Sequence, residues 1–282
     1  MREALFYETG GGRAVGCRLC PHSCVLRPGG TGLCGVRRNV DGVLYAESYG
    51  CVSGMAMDPI EKKPLRRFYP GSRILSVGSY GCNLSCSFCQ NSSISQEVPQ
   101  TRFVSPEALA ETAKGQPGNL GVAFTYNEPL VGMEYLLDAA PLLKSAGLKT
   151  VLVTNGTVNA GPLEALLPFV DAMNIDVKCF TEQGYETLGG DLGAVKQSVK
   201  RCAEACHVEI TALIVPGEND TAEEMQALSR WLASVSPGIP LHITRFFPRY
   251  QMTDRPPTPV PKLEELAAVA RRELETVYLG NV

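Results

Sequence analysis

Three cysteines, Cys82, Cys86 and Cys89, crowd one short stretch with the spacing Cys-x3-Cys-x2-Cys. Three thiolates on one loop can hold three irons of a 4Fe–4S cube. The fourth iron then has no protein ligand and is open to a small molecule. Structural zinc would want a fourth ligand, and none stands in this stretch. A second group, Cys17, Cys20, Cys24 and Cys34, gathers four more thiols near the start of the chain. Two readings of it compete. One is a closed tetrahedral zinc site that folds a small module. The other is a second iron–sulfur cluster that passes electrons to the first. The surrounding residues are rich in Gly and Pro with little to build a core from, which favours zinc. His22 could replace one thiolate, but four Cys already suffice.

The remaining cysteines, Cys51, Cys179, Cys202 and Cys206, are scattered. The total of eleven is odd, so complete pairing within one chain is impossible. No apolar signal-peptide core opens the chain, so the thiols are expected to stay reduced in the cytoplasm. Cys202 and Cys206, four apart on an expected helix, share a face and read as core.

Elements of the right kind must position these groups. Residues 1–70 read as a Cys-rich metal-binding module with short strand-like runs such as Val43-Leu44-Tyr45-Ala46. From residue 71 to 282 the pattern alternates. Strand-prone runs are expected at 74–79, 120–125, 150–154, 172–177, 208–215 and 241–246. Helices are expected between them. One opens with an N-cap Ser105 and Pro106 at its first position. Another starts at Thr221 with Glu224 three residues on, a capping-box pattern. Such alternation predicts an α/β fold with a parallel sheet, open or curled into a barrel. Ligands in these folds bind at the carboxyl ends of the strands. The first strand leads into the cysteine loop. The second leads into Thr125-Tyr126-Asn127-Glu128-Pro129 and the third into Thr154-Asn155-Gly156. The fourth carries Asp176 and Lys178, which period-two spacing puts on one face. The fifth ends at Val215-Pro216-Gly217. The sixth carries His242 and Thr244 on one side.

The segment Cys82 to Cys89 resembles the signature of the radical S-adenosylmethionine (SAM) superfamily, Cys-x3-Cys-x-aromatic-Cys, with Phe88 in the aromatic slot. The resemblance implies a partial (β/α)6 barrel and a 4Fe–4S cluster on Cys82, Cys86 and Cys89. It further implies that the open iron chelates SAM. One electron would cleave SAM to a 5′-deoxyadenosyl radical that takes hydrogen from substrate. Thr125 to Pro129 sits where the superfamily has Gly-Gly-Glu-Pro, a segment that contacts the SAM amino group; Tyr126 and Asn127 replace the glycines. Thr154-Asn155-Gly156, Asp176-Val177-Lys178 and Val215-Pro216-Gly217 are similar to segments of glycyl-radical-enzyme activases, although Val153 stands where those often carry Asp. The cofactor-binding set is therefore Tyr126, Asn127, Glu128, Thr154, Asn155, Asp176 and Lys178. His242 joins them by its place on the last strand, and no catalytic residue is assigned.

Cys17 to Cys24 and the run Asp58-Pro59-Ile60-Glu61-Lys62-Lys63-Pro64-Leu65 extend the likeness over nearly the whole chain. Together the motifs resemble the radical SAM member of the AmmeMemoRadiSam system, a group similar to pyruvate formate-lyase activating enzymes. The resemblance implies an electron donor of the flavodoxin or ferredoxin type and, as target, a glycine of a partner enzyme. A different protein or a small molecule is the alternative substrate. A non-catalytic iron–sulfur electron-transfer protein is the alternative class.

Composition bounds these readings. The chain has 282 residues, a net charge of −3, 44% apolar and 20% charged residues. That balance is globular, and it argues against a nucleic-acid binder held by phosphate contacts. No apolar run approaches the ~18 residues of a membrane span.

Overall fold

The computed structural model describes all residues, 1–282. Its centre is one eight-stranded sheet. In chain order the strands are β1 (Gly54–Pro59), β2 (Arg73–Gly78), β3 (Asn119–Phe124), β4 (Lys149–Thr154), β5 (Ala172–Asp176), β6 (His207–Ile214), β7 (Leu241–Arg245) and β8 (Val277–Gly280). Sequential strands are neighbours throughout. All pairs from β2 to β8 are parallel, while β1 runs antiparallel to β2. The sheet is open, with β1 and β8 as its edges. This is an α/β fold on a mostly parallel sheet, as the alternation predicts, in the partial-barrel form that the resemblance implies.

The parallel strands are buried on both faces, as a sheet covered by crossover helices requires, with buried polar residues such as Asn174, Glu209 and His242 among the apolar ones. The main helices are α1 (Pro106–Lys114), α2 (Met133–Ser145), α3 (Ala160–Leu166), α4 (Leu192–Ala205), α5 (Ala222–Val235) and α6 (Val260–Ala270). Ser105 caps α1, its Oγ accepting from the Ala108 amide at 3.2 Å. Thr221 caps α5 in the same way through the Glu224 amide. The reciprocal half of the capping box is absent, because the Glu224 carboxylate accepts from the Phe180 amide instead.

The first fifty residues form two small antiparallel sheets. One contains the hairpin Arg37–Val40 and Val43–Ala46, turned by Asp41-Gly42 with both residues at positive φ. That is the backbone a two-residue type I′ turn demands. The module does not stand apart from the barrel. Val15, Leu19, Leu26 and Leu44 belong to one 51-residue core cluster with Leu136, Leu152 and Ile210. Arg37 donates to both oxygens of Glu134 on α2 at 2.7 Å, and both side chains are about 1% exposed. The large sheet itself begins at Gly54, inside the span assigned to the module.

Candidate active site

The carboxyl ends of β2 to β8 open on one cavity of about 530 Å³. Cys82, Cys86 and Cys89 line it, and so do Tyr126, Asn127, Glu128, Thr154, Asn155, Asp176, Lys178 and His242. Cys17, Cys20, Cys24 and Cys34 are not on its wall. They lie in the N-terminal module, behind the loop that carries Cys82.

The residues around the cysteine loop are tied to one another. Asn155 is the hub. Its Nδ2 donates to Asn83 Oδ1 at 3.0 Å and approaches Cys82 Sγ at 3.6 Å. Its amide donates to Glu128 Oε2 at 2.7 Å. Glu128 is buried, and its Oε1 accepts from Thr154 Oγ1 at 2.6 Å and from the Leu130 amide at 3.0 Å. Burial pushes the Glu128 carboxyl up to about 7, against the pull of those donors. Asn127 braces the cysteine loop from the other side. Its Oδ1 accepts from the Ser79 amide, and its Nδ2 donates to the Tyr80 and Gly81 carbonyls. Tyr126 takes a positive φ of 75°, so the chain keeps at this non-glycine position a backbone that glycine adopts freely.

Charge in the cavity is unbalanced. Burial pushes the Cys82 thiol well above its ordinary range and that of Cys86 up to about 11. Lys178 faces them. Burial disfavours its ammonium, but Asp176, at 2.7 Å, and the Cys86 and Cys82 thiolates outweigh burial and raise its pKa. Its amide donates to the hydroxyl of buried Tyr185 at 3.1 Å.

Two anchors behind the cavity wall were given no role from the sequence. Glu209, fully buried on β6, accepts from the Arg66 and Arg67 amides at 3.0 and 2.7 Å. It also lies 2.6 Å from His242 Nε2 and 3.0 Å from His207 Nε2. Burial disfavours its charge, yet His207, His242 and the two amides win and hold the carboxyl at about 2. The signal was a lone acid in the apolar run Val208 to Val215. His242 is thereby a buried, paired residue that also stacks on Tyr278. The second anchor is Asp58. Its Oδ2 accepts from Lys63 Nζ, Ser76 Oγ and the Tyr126 hydroxyl, at 2.8 to 2.9 Å. Residues 61–64 of the run 58–65 form part of the wall, and Asp58 holds that run from behind.

The profile of the radical SAM superfamily matches residues 76–232, more than half of the chain. The chain belongs to the radical SAM superfamily. It is 40% identical to the uncharacterized protein MJ0808 of Methanocaldococcus jannaschii, over all of this chain and 86% of that protein. It is 27% identical to the pyruvate formate-lyase-activating enzyme of Clostridium pasteurianum, over 59% of this chain and 71% of the enzyme. A radical SAM methyltransferase from Sphaerobacter thermophilus shares the fold. Its TM-score is 0.57 at 14% identity, over 75% of this chain and 67% of that one.

Radical SAM membership implies a 4Fe–4S cluster and SAM. The residues present fit the cluster. Cys82 and Cys86, whose thiols burial pushes up, stand beside Glu128, Asp176 and Lys178, and a centre that supplies positive charge would favour their thiolates. Leu84 N and Asn155 Nδ2 stand 3.4 and 3.6 Å from Cys82 Sγ, and Ser95 Oγ is 3.2 Å from Cys89 Sγ. Such donors suit thiolate ligands. No helix is long and apolar enough to cross a membrane.

Proposed function

We propose that the chain reductively cleaves SAM at a 4Fe–4S cluster held by Cys82, Cys86 and Cys89, and abstracts hydrogen from a substrate. The observation that carries this reading is the convergence of seven strand ends on one cavity, with Asn155 bridging the cysteine loop to Glu128. When bound, the cluster and SAM supply the electron and the 5′-deoxyadenosyl radical.

The chain's own residues bind, orient and shield. Glu128 offers its remaining lone pairs to an ammonium group, while three protein donors fix its position. Lys178, held by Asp176, presents a positive charge to a carboxylate or to the thiolates. Asp176 keeps one oxygen free for a hydroxyl pair such as a ribose offers. Tyr126, Asn127, Thr154 and His242 complete the wall by holding its segments in place. The likeness to a pyruvate formate-lyase-activating enzyme supports a partner protein as substrate; a glycine of that partner as the hydrogen donor and a flavodoxin- or ferredoxin-type electron source are part of this proposal.

Anaerobically reconstituted protein is expected to bind SAM and, with dithionite, to release 5′-deoxyadenosine. Cys86→Ala is expected to abolish both cluster and cleavage. Cleavage that survives this substitution would contradict the ligand assignment. Deuterium transfer from a labelled glycine of a candidate partner into 5′-deoxyadenosine identifies the substrate; transfer only from another labelled molecule replaces the glycine reading.

A further inference from the structure

The four N-terminal cysteines take no part in the cavity, yet they are organised. Antiparallel pairing of Val15–Cys17 with Val25–Leu26 brings Cys17 and Cys24 together, the Cys17 amide donating to the Cys24 carbonyl at 2.9 Å. A Cβ built on Gly32 would meet both Cys24 Sγ and Cys34 Sγ at 3.8 Å, so these sulfurs flank one point of bare backbone. The charge of Arg37 reaches both the Cys17 and the Cys34 thiol. Arg37 is about 1% exposed, and its Nη1 is buried without any hydrogen-bond partner. A buried guanidinium N–H left unpaired is costly, and a thiolate or bridging sulfide beside it would satisfy it.

The module also abuts the cysteine loop of the active site. His22 Nε2 lies 2.7 Å from the Asn83 carbonyl, and Asn83 follows Cys82. Gly81, which precedes Cys82, has a φ of +87°, and a Cβ there would stand 2.7 Å from the Cys34 carbonyl oxygen. The two groups of thiols are therefore back to back. A buried N–H donor beside these thiols, and a second cysteine loop at their back, suit a cluster that hands electrons across that contact.

We propose that Cys17, Cys20, Cys24 and Cys34 ligate a second iron–sulfur cluster, against which Arg37 directs its unpaired N–H, and that this cluster relays electrons to the first. A reduced flavodoxin- or ferredoxin-class protein loses one electron to it. It then passes that electron to the active-site cluster, with no bond made or broken. The relay rests on the function proposed above; the ligation of the cluster does not.

The decisive protein is the triple variant Cys82→Ala/Cys86→Ala/Cys89→Ala, reconstituted anaerobically with iron and sulfide. It is expected to keep an iron–sulfur cluster, with about two or four irons per chain, matching sulfide and a Mössbauer signature of thiolate-bound iron. Zinc alone, no metal, or disulfides among the four cysteines would overturn the proposal. For the relay, Cys17→Ala/Cys34→Ala is expected to retain SAM cleavage driven by dithionite and to lose cleavage driven by reduced flavodoxin. Equal loss, or no loss, with both reductants would overturn the relay. Where that variant does not fold, rapid-freeze Mössbauer spectra of wild-type protein mixed with reduced flavodoxin decide the order. The N-terminal iron is expected to be reduced first, and the reverse order overturns the relay. A cluster in the triple variant with wild-type protein that cannot cleave SAM would refute the proposed function alone.

Discussion

Asn155 does the work of three smaller residues at once, since its side chain and amide touch Cys82, Asn83 and Glu128. Asn155→Ala removes the side-chain donor and leaves the amide. Loss of such an outer partner to a metal ligand costs about 10- to 100-fold. SAM cleavage, followed as 5′-deoxyadenosine, is expected to fall in that range while iron content stays near wild type. Glu209 supports a different prediction, in pH. Its folded carboxyl sits at about 2, below the ordinary 4.5. Its contribution to stability is therefore complete above about 4.5 and disappears as pH falls towards 2. Thermal melts of wild type and Glu209→Gln are expected to differ most above pH 5 and to converge by pH 2. A gap independent of pH would show that Glu209 is not charged in the folded protein. The cysteine loop and strand-end acids were legible from residue type and spacing. Glu209 was not, because a lone acid inside a strand does not disclose that two histidines and two amides await it.

Among the elements, β3 and β4 lie close together at Gly121. A Cβ added at Gly121 would stand 1.9 Å from the Lys149 carbonyl oxygen, and the register between β2 and β3 shifts across it, between Asn119 and Val122. Gly121→Ala cannot be relieved by rotating a side chain. It is expected to cost about 3 kcal/mol or more, read as a lowered urea midpoint, or to prevent folding. A variant of unchanged stability would mean that the strands can part there freely. The six expected strands all exist within a few residues of their expected positions, because buried parallel strands are continuous apolar runs bounded by turns. Gly54–Pro59 escaped, since a run of Gly, Met, Ala, Asp and Pro lacks β-branched residues and alternation. The short helix Glu182–Thr187 escaped too, although it delivers Tyr185 to the Lys178 amide. A single turn and a half leaves too little periodicity to read.

At the scale of the molecule, module and barrel share one core and one buried ion pair. Arg37→Met would strand the Glu134 carboxylate without its partner. Breaking one side of a buried pair costs about 3–5 kcal/mol, so urea unfolding is expected to shift by that amount in a single cooperative transition. Two separate transitions would mean that the module folds by itself. Composition hinted at two parts, and it could not reveal that they are welded, because the pairs that join them are far apart in sequence.

Arg37 and Glu134 are 97 residues apart. A ribosome that adds about 5–20 residues per second needs roughly 5–20 seconds to cover that interval. Throughout it the nascent module has emerged without the helix that will seal it. The four early thiols are then open to whatever would load the cluster proposed for them, and that access narrows once synthesis reaches Glu134.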